Sequence, residues 1–432
     1  MPRLPRLGFT RGTGLHLRPP ERNHRESKTS DGDAVMVSFW LVDPLGVSYF
    51  SVHCPGLNEG GFSYEPTVIC AEGAFVLFRL TFDSHAGICC EYFVYRAGPG
   101  KPSLDLLPDP NVAAFGAGRF GILPACGDAS SEHYVVAFLR WRVAGEDWQF
   151  DAHIFSSETQ AWTTKPTLLS LSDSDKLLLD SHDTIKQIAV GAASLGWVGF
   201  LHGILLLTNL FDRCPVIRYI PFPEPKVCVT DEDGEIIYGA GPPEWHVTCS
   251  NNGLVKLVEI EFYDDKECGS DRGWIATTCT RMVSSDGWRH RLEVNSAAIS
   301  VDLSYRALLP ELWNDKTKKL ELNKLVYYAP TLSMEDDDFV YMMAKVNNED
   351  ERAWVITVDM KRALAPFSTQ GRHLITGYRS CAFPKYLDMA TADKPVVLPS
   401  FPKYSGMLCL ALLVFCWRLF CVFTGMFEDC RN

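Results

Sequence analysis

The stretch that most constrains the fold runs from Gly196 to Pro223 and reads GWVGFLHGILLLTNLFDRCPVIRYIPFP. Its centre, Ile204–Leu207, is a short apolar run bracketed by turn residues at His202–Gly203 and Asp212–Pro215. A run this short with such flanks indicates a buried strand rather than a helix. Pro221 ends the following strand, because proline cannot donate a hydrogen bond to a sheet. The stretch therefore predicts three successive strands, which is a fold signature and contains no catalytic motif.

Similar strand patterns recur from Ala34 onward. Runs of apolar and aromatic residues, each closed by Gly, Pro or Asp, occupy residues 35–42, 47–54, 67–70, 74–82 and 90–95. Short strands at this spacing are typical of an antiparallel sandwich, barrel or propeller. The predicted fold class is mostly β: an antiparallel, irregular β-propeller-like domain with a candidate apolar helix at the C-terminus.

One unit of the chain has the pattern of a propeller blade. Strands predicted at His133–Trp141 and Trp148–Phe155 are followed by a polar turn and then by Trp162. A tryptophan placed after such a turn can pack over it and seal one blade against the next. Looser versions of the same pattern occur at 92–107 and 354–367, which is suggestive of a repeat and not a clean period.

The chain is predicted to contain three regions. Residues 1–33 are rich in Arg and Pro and are expected to be a disordered basic tail. Residues 34–400 form the β-rich domain, in which 97–127 is a candidate linker and 168–186 a polar loop. A short helix is expected within 299–313, and 368–400 reads as trailing loops. Residues 401–432 form an apolar tail.

The apolar tail contains Met407–Phe427, about 21 residues whose single internal charge is Arg418. That length spans a bilayer core of about 30 Å. Arg near the centre costs roughly 2.5 to 3.5 kcal/mol on insertion, which the many Leu, Val and Phe residues offset. The segment is either a transmembrane helix that anchors the protein or a helix buried against the domain.

Charge and cysteine content restrict the classes of partner and compartment. The formal net charge of −12 argues against nucleic-acid binding, which needs a basic surface. The 15 cysteines are irregularly spaced and lack zinc-site spacing, so no metal ligand is assigned. Their odd number and the absence of a secretory signal indicate a reducing compartment. We expect a cytoplasmic or nuclear protein that is membrane-associated if residues 407–427 insert.

No catalytic constellation stands out. The G-x-S-x-G, H-E-x-x-H and phosphate-loop motifs are absent. His53 with Cys54 and Glu132 with His133 could each be drawn as a dyad. Adjacent pairs of this kind arise readily by chance among 11 His and 53 Asp and Glu residues. Acidic runs at 231–233 and 335–338 lack the spacing of a calcium loop. The sequence therefore predicts no catalytic, cofactor-binding or metal-ligating residue and no cofactor.

The central stretch and its surroundings resemble the DUF1618 family, a domain of unknown function expanded in grasses. The matching segments are Trp197–Val198, Gly203–Leu205, Pro215–Pro221, Asn252–Glu259 and Trp274–Ala276, together with Val47–Phe50, His53–Leu57 and Tyr92–Ala97 upstream. The resemblance covers roughly residues 34–385, with a family core at about 196–335. This chain has Trp245–His246 where the family commonly shows an Arg-Asp pair.

The resemblance implies a propeller-like β-fold similar to F-box-associated domains, and it implies no established activity, substrate or cofactor. Together with the strand pattern, it leads us to expect a non-enzymatic module that binds partner proteins through loops and exposed aromatics. One alternative is a hydrolase or lyase with a carboxylate pair in a propeller channel, which converging acids with a histidine would favour. Another alternative is a membrane-tethered scaffold.

Overall fold

The computed structural model of the protein divides the chain into two units, residues 1–389 and 390–432. It describes part of the first: residues 6–9, 24–40, 48–56, 62–84, 87–97, 102–110, 119–125, 131–144, 147–172, 175–176, 182, 184–199, 203–223, 229–230, 236–237, 244–250, 252–265, 271–299, 312–316, 318–333, 338–347, 353–362, 367–370 and 378–380. These residues are mostly in strands, with short 3-10 helices at Ser296–Ala298 and Leu322–Lys324. The mostly β fold is confirmed.

Six sheets of four or five strands make up the described part of the chain, and we number them as blades 1 to 6. Blade 1 contains β1 (Arg6–Phe9), β2 (His24–Lys28), β3 (Ala34–Trp40), β4 (Ser48–His53) and β30 (Tyr378–Ser380). Blade 2 contains β5 (Phe62–Glu72), β6 (Phe75–Ser84), β7 (Gly87–Arg96) and β8 (Ser103–Leu106). Blade 3 contains β9 (Gly121–Pro124), β10 (Tyr134–Ala144), β11 (Asp147–Ser156) and β12 (Ala161–Pro166).

The remaining blades follow the same plan. Blade 4 contains β13 (Leu168–Leu169), β14 (Thr184–Ala189), β15 (Leu195–Gly199), β16 (Gly203–Thr208) and β17 (Val216–Pro221). Blade 5 contains β20 (Glu244–Cys249), β21 (Leu254–Asp265), β22 (Asp271–Met282) and β23 (Arg289–Asn295). Blade 6 contains β26 (Val326–Leu332), β27 (Phe339–Lys345), β28 (Ala353–Asp359) and β29 (Phe367–Gln370). Two small ribbons pair β18 (Val229–Thr230) with β19 (Ile236–Ile237) and β24 (Trp313–Asn314) with β25 (Lys319–Leu320).

In blades 2 to 6, one edge strand of each blade contacts the corresponding strand of the next blade, and we call these strands innermost. β5 contacts β9, β9 contacts β14, β14 contacts β20, and β20 contacts β26. The ring is completed in blade 1, where β30 contacts β26 and β1 contacts β5. β1 pairs antiparallel with β30 and parallel with β4, so strands from the two ends of the described chain share one sheet. This is the arrangement of a propeller closed by its terminal strands.

In blades 2 to 5 both faces of the middle strands are buried, because each of these blades packs against a neighbour on either side. In β6, Phe75 and Leu77 join the apolar cluster shared with blade 3, while Val76 and Phe78 join the cluster shared with blade 1. Similar clusters lie between blades 3 and 4, 4 and 5, and 5 and 6. Each fully buried Phe or Leu contributes roughly 1.5 to 3 kcal/mol. This two-sided burial explains why the middle strands are continuous apolar runs.

The central stretch folds as predicted, with β15, β16 and β17 forming an antiparallel meander. Ile204 and Leu206 face blade 5, whereas Leu205 and Leu207 face blade 3. Gly203 is required at the start of β16, because a Cβ there would lie 2.3 Å from the carbonyl oxygen of Ile220.

Tryptophan indoles link successive blades by hydrogen bonds to backbone carbonyls. Trp162 Nε1 donates to Pro108 O at 2.9 Å, and its ring packs against Phe155 at 5.5 Å. Trp197 Nε1 donates to Arg119 O at 2.6 Å. In the same way, Trp288 Nε1 donates to Pro221 O at 2.7 Å. Trp162 thus links blade 3 to the preceding blade, whereas the sequence pattern predicted a seal against the next one, and two further tryptophans act similarly.

Four segments expected to lack regular strands contain them. The expected disordered tail, 1–33, includes β1 and β2, and the candidate linker, 97–127, includes β8 and β9. The polar loop at 168–186 contains β13 and the start of β14, and the region 368–400 contains β30. These strands are short and are fixed by pairing with distant segments, so they carry little local pattern. Residues 300–311, within the expected short helix, and 407–427 lie outside the described residues.

The indole hydrogen bond of Trp197 is expected to contribute measurably to stability. Trp197 is 2% exposed, so Trp197→Phe keeps most of the apolar contact but leaves the Arg119 carbonyl without this donor. We expect a loss of about 1 to 3 kcal/mol in the free energy of unfolding, measured by urea denaturation. Trp141→Phe is the matched control, because Trp141 is 45% exposed, and it should change stability by less than about 0.5 kcal/mol. Equal losses in the two variants would contradict this role.

Candidate functional site

A small cavity lies at the centre of the ring, where the innermost strands of blades 2 to 5 approach one another. Its volume is about 40 Å³, and its polar lining includes Glu72, Lys186, Gln187, Thr248 and Cys249. At roughly 10 to 15 Å³ for each water centre, it holds about three waters. We call it the axial cavity. It accommodates a very small ligand and is far below the 300 Å³ or more of a typical substrate pocket.

Burial raises the pKa values of two titratable side chains of the axial cavity. Burial raises the pKa of the Glu72 carboxyl to about 7, partly offset by a hydrogen bond from the Gly73 backbone. Burial, with a smaller contribution from the charge of Glu72, raises the pKa of the Cys249 thiol to about 12. A thiol in this state is a weak nucleophile, because the thiolate is the reactive form.

Side chains of β20 hold the inner strand of blade 6 in place. Glu244 Oε2 accepts a hydrogen bond from the Ala329 N–H at 2.6 Å, and His246 Nδ1 accepts one from the Leu332 N–H at 3.2 Å. β26 has a register shift between Tyr328 and Thr331, and Ala329 has a φ of +54°. This irregularity interrupts the ladder between β26 and β27 beside the two N–H groups that β20 binds. Glu244 and His246 therefore hold β26 against β20.

Lys186, on the innermost strand of blade 4, extends this connection to a third blade. Its Nζ lies 2.7 Å from His246 Nε2 and donates to the Val247 carbonyl at 2.9 Å. A chain of contacts thus runs from Lys186 through His246 to Leu332, across blades 4, 5 and 6.

The acids at the axis do not form a catalytic pair. Glu72 lies near Cys249, at one end of β20, whereas Glu244 begins that strand. Five residues of strand separate Glu244 from Cys249, which corresponds to about 16 Å at about 3.3 Å per residue. Glycosidase carboxylates lie roughly 5 to 9.5 Å apart. Burial also raises the pKa of Glu244 to about 7, and its oxygen is occupied by a backbone N–H.

Neither dyad considered from the sequence forms a site. His53 is exposed, whereas Cys54 is buried, and burial with the nearby acids raises the pKa of the Cys54 thiol to about 12. Glu132 pairs with Arg96 at 3.6 Å instead of with His133. His202 lies outside the described residues. The sequence patterns did not single out Lys186, Glu244 or His246. The one feature that could have identified them is a charged or polar side chain within a strand that lies at the axis.

Within the described segments, no group of three or more His, Cys, Asp and Glu side chains is arranged to hold a metal ion. No helix within these segments is both long and apolar enough to cross a membrane. The apolar segment 407–427 lies outside them.

A second candidate site lies on the outside of the ring, at the junction of blades 3 and 4. Leu168, Leu169 and Phe211 are 58%, 36% and 39% exposed, and we call these three residues the outer patch. The Leu168 N–H donates to the Pro215 carbonyl, in the turn that also carries Phe211. Lys165 Nζ donates to the carbonyls of residues 210, 211 and 212 at 2.8 to 3.2 Å, which fixes that turn beside β13.

The raised pKa values of Glu72 and Glu244 predict a stability that falls as pH rises. An acid whose pKa is about 7 in the folded state and 4.5 in the unfolded state favours folding fully below pH 4.5. That contribution is lost between pH 4.5 and 7. Glu244→Gln keeps an oxygen for the Ala329 N–H and cannot ionise, so its unfolding free energy should decline less than that of the wild type between pH 5 and 8.

Urea denaturation at the two pH values measures this difference. Glu132→Gln is the control, because Glu132 is 60% exposed, and it should follow the wild type. A decline in Glu244→Gln as steep as that of the wild type would show that this carboxyl does not titrate in the folded protein.

Solved structures similar to this chain share little sequence with it. The WD40 domain of SCAP from fission yeast is 9% identical, with a TM-score of 0.30, and the match covers 81% of this chain and 76% of that one. A glycosyl hydrolase from Bacteroides ovatus is 10% identical, with a TM-score of 0.27, covering 70% and 85%. The α-L-arabinofuranosidase PaAbf62A from Podospora anserina is 12% identical, with a TM-score of 0.28, covering 76% and 93%. Likenesses this weak support no argument about function.

A comparison with protein families gives a firmer result. No curated protein matches the chain. The family described as "Protein of unknown function (DUF1618)" matches residues 197–341, which span β16 to β26 and most of β15 and include His246. This range agrees with the family core expected at about 196–335, and it carries no information about the source organism. The resemblance seen in the sequence is confirmed, because residues 197–341 match the DUF1618 family model.

Proposed function

We propose that the protein is a non-enzymatic interaction module that binds a partner protein through the outer patch. The observation that carries this proposal is the exposure of three large apolar side chains, Leu168, Leu169 and Phe211, beside a strand at the rim of a blade. Large apolar side chains exposed along a rigid sheet edge favour association, because binding removes their surface from water.

The geometry of β13 suits an extended partner segment. β13 pairs with β17 and is the outermost strand of blade 4 among the described strands. Leu168 and Leu169 are adjacent in the strand and therefore project to opposite faces. A partner strand added at this edge would gain main-chain hydrogen bonds and contact both leucines. Peptide recognition of this kind draws affinity from the backbone and specificity from the side chains.

The hydrogen bonds of Lys165 prepare the patch for binding. They hold the turn that carries Phe211 through three carbonyl oxygens, so less conformational entropy is lost when a partner docks. Burial lowers the pKa of the Lys165 amine, with the charge of Asp212 acting in the opposite direction.

Features of the axis support the non-enzymatic part of the proposal over the hydrolase or lyase. The axial cavity is too small for a sugar, and Glu244 is committed to a backbone hydrogen bond. A cytoplasmic or nuclear location belongs to the same proposal and is supported by the seven free cysteines of the described residues, which suit a reducing compartment.

Charged substitutions in the outer patch should abolish partner binding without unfolding the protein. Leu168→Lys and Phe211→Lys place a charge where an apolar contact is required, and Lys on an edge strand also opposes strand pairing. We expect at least a tenfold loss in the amount of a specific partner recovered by quantitative affinity purification from the native tissue. The free energy of unfolding should stay within about 0.5 kcal/mol of the wild-type value.

Ile88→Lys is the matched control, because Ile88 is 60% exposed on blade 2, away from the patch. It should recover the same partners as the wild type. If all three variants retain the wild-type partners, the outer patch is not the binding surface. Turnover of a small molecule by the purified chain that Glu72→Gln or Glu244→Gln abolishes would favour the enzyme instead.

A further inference from the structure

The turn between β2 and β3, residues 29–33, keeps its shape through its own hydrogen bonds. The Thr29 N–H donates to the Asp33 carbonyl at 2.9 Å, and the Asp33 N–H donates to Thr29 Oγ1 at 3.0 Å. Gly32 has a φ of +91°, which glycine adopts without strain. Residues 30–33 are all exposed. The turn is therefore a preformed structure that stands at the surface of blade 1.

Ser30 connects this turn to blade 2. Its backbone N–H donates to Glu91 Oε1 at 2.8 Å, and its hydroxyl Oγ donates to the same oxygen. Glu91 lies on β7 and is only 8% exposed. Its other oxygen, Oε2, is buried and accepts no hydrogen bond from the described residues. Both hydrogen bonds that the structure gives this buried carboxylate therefore come from Ser30.

Further acidic side chains lie close to Glu91. Burial, with smaller contributions from the charges of Asp33 and Glu91, raises the pKa of the Cys54 thiol to about 12. Burial, followed by nearby charges of which Glu91 is the largest, also raises the pKa of the Cys89 thiol. Both thiols thus lie within the field of these carboxylates. An additional anion on the turn would meet the same field and be repelled.

We propose that Ser30 is a phosphorylation site for a kinase that selects acidic substrates, and that its phosphate releases the turn from Glu91. Asp31 and Asp33 occupy the first and third positions after Ser30, and kinases choose substrates partly by such charge patterns. Ser30 Oγ forms a bond to the γ-phosphorus of ATP, and the bond from that phosphorus to the ADP oxygen breaks. ADP leaves, and the hydroxyl proton passes to the catalytic aspartate of the kinase.

The phosphate acts on the turn in two ways. It removes the hydroxyl donor, and it adds roughly 1.5 to 2 negative charges at neutral pH, which repel an adjacent carboxylate. The turn retains the hydrogen bonds of Thr29, so it moves away from Glu91 as a unit. Blades 1 and 2 remain packed through the apolar cluster that includes Val37, Phe50 and Phe78. The expected change is local release of the turn and not opening of the ring.

Treatment of the full chain with casein kinase 2 and ATP tests the modification. Ser333 is the internal control, because Asp336 stands three residues after it but Ser333 is only 2% exposed. Peptide mass spectrometry gives the rate at each serine, divided by the rate of a synthetic peptide of the same sequence. This ratio should be at least about tenfold higher at Ser30 than at Ser333, since a buried serine reacts only after local unfolding. Absence of phosphate on Ser30 would overturn the proposal.

Hydrogen exchange at single-amide resolution measures release of the turn. The Ser30 N–H reports it directly, because it donates to Glu91. In the phosphorylated chain this amide should exchange at least about tenfold faster, whereas the Thr29 amide, bonded within the turn, should keep its rate. An unchanged rate at Ser30 in the phosphorylated chain would overturn release.

A matched variant isolates the charge of Glu91. Glu91→Gln keeps an oxygen for the Ser30 donors and removes the negative charge. Phosphorylation of this variant should accelerate exchange of the Ser30 amide by less than about threefold, because the repulsion is gone. Acceleration as large as in the wild type would show that repulsion by Glu91 does not drive the release.

Discussion

Two-sided burial of the middle strands is the constraint on which the structure depends. Each of blades 2 to 5 is covered by a neighbour on both faces. Alternate residues of strands such as β6 and β16 therefore join different apolar clusters. A polar side chain on either face of such a strand would be buried without a hydrogen-bond partner, which costs free energy. The tryptophan hydrogen bonds act at the same interfaces. They satisfy the indole N–H groups of Trp162, Trp197 and Trp288 and fix neighbouring blades relative to each other.

The same constraint decides what the sequence could predict. The Ile204–Leu207 run, the Asn252–Gly253 turn and the tryptophan after the polar turn are local patterns, and each led to the correct element. β1, β8, β9, β13 and β30 are only two to four residues long and are strands because of what they pair with. No period-2 pattern can be recognised in so few residues, so the tail at 1–33 and the linker at 97–127 were interpreted as irregular. Propensity there is overridden by tertiary pairing.

The candidate sites were hidden from the sequence for a different reason. Lys186, His246 and Leu332 belong to three blades and meet only because the innermost strands surround one axis. These residues are far apart in the sequence, so a search for short motifs cannot find them. The outer patch is similar, since Leu168 and Phe211 are brought together by hydrogen bonds from Lys165 and Leu168 to one turn.

The pairing of β1 with β30 bears on how such a chain is assembled in a cell. Residues near position 7 must wait for residues near position 379 before their ladder can form. At roughly 5 to 20 residues per second of synthesis, the blades on the amino-terminal side emerge and can pack tens of seconds before the ring is sealed. During that interval the edge of β1 that later pairs with β30 is available to other strands, and contacts so distant in sequence also form slowly. A nascent chain of this architecture is thus a natural client for chaperones that shield unpaired β edges.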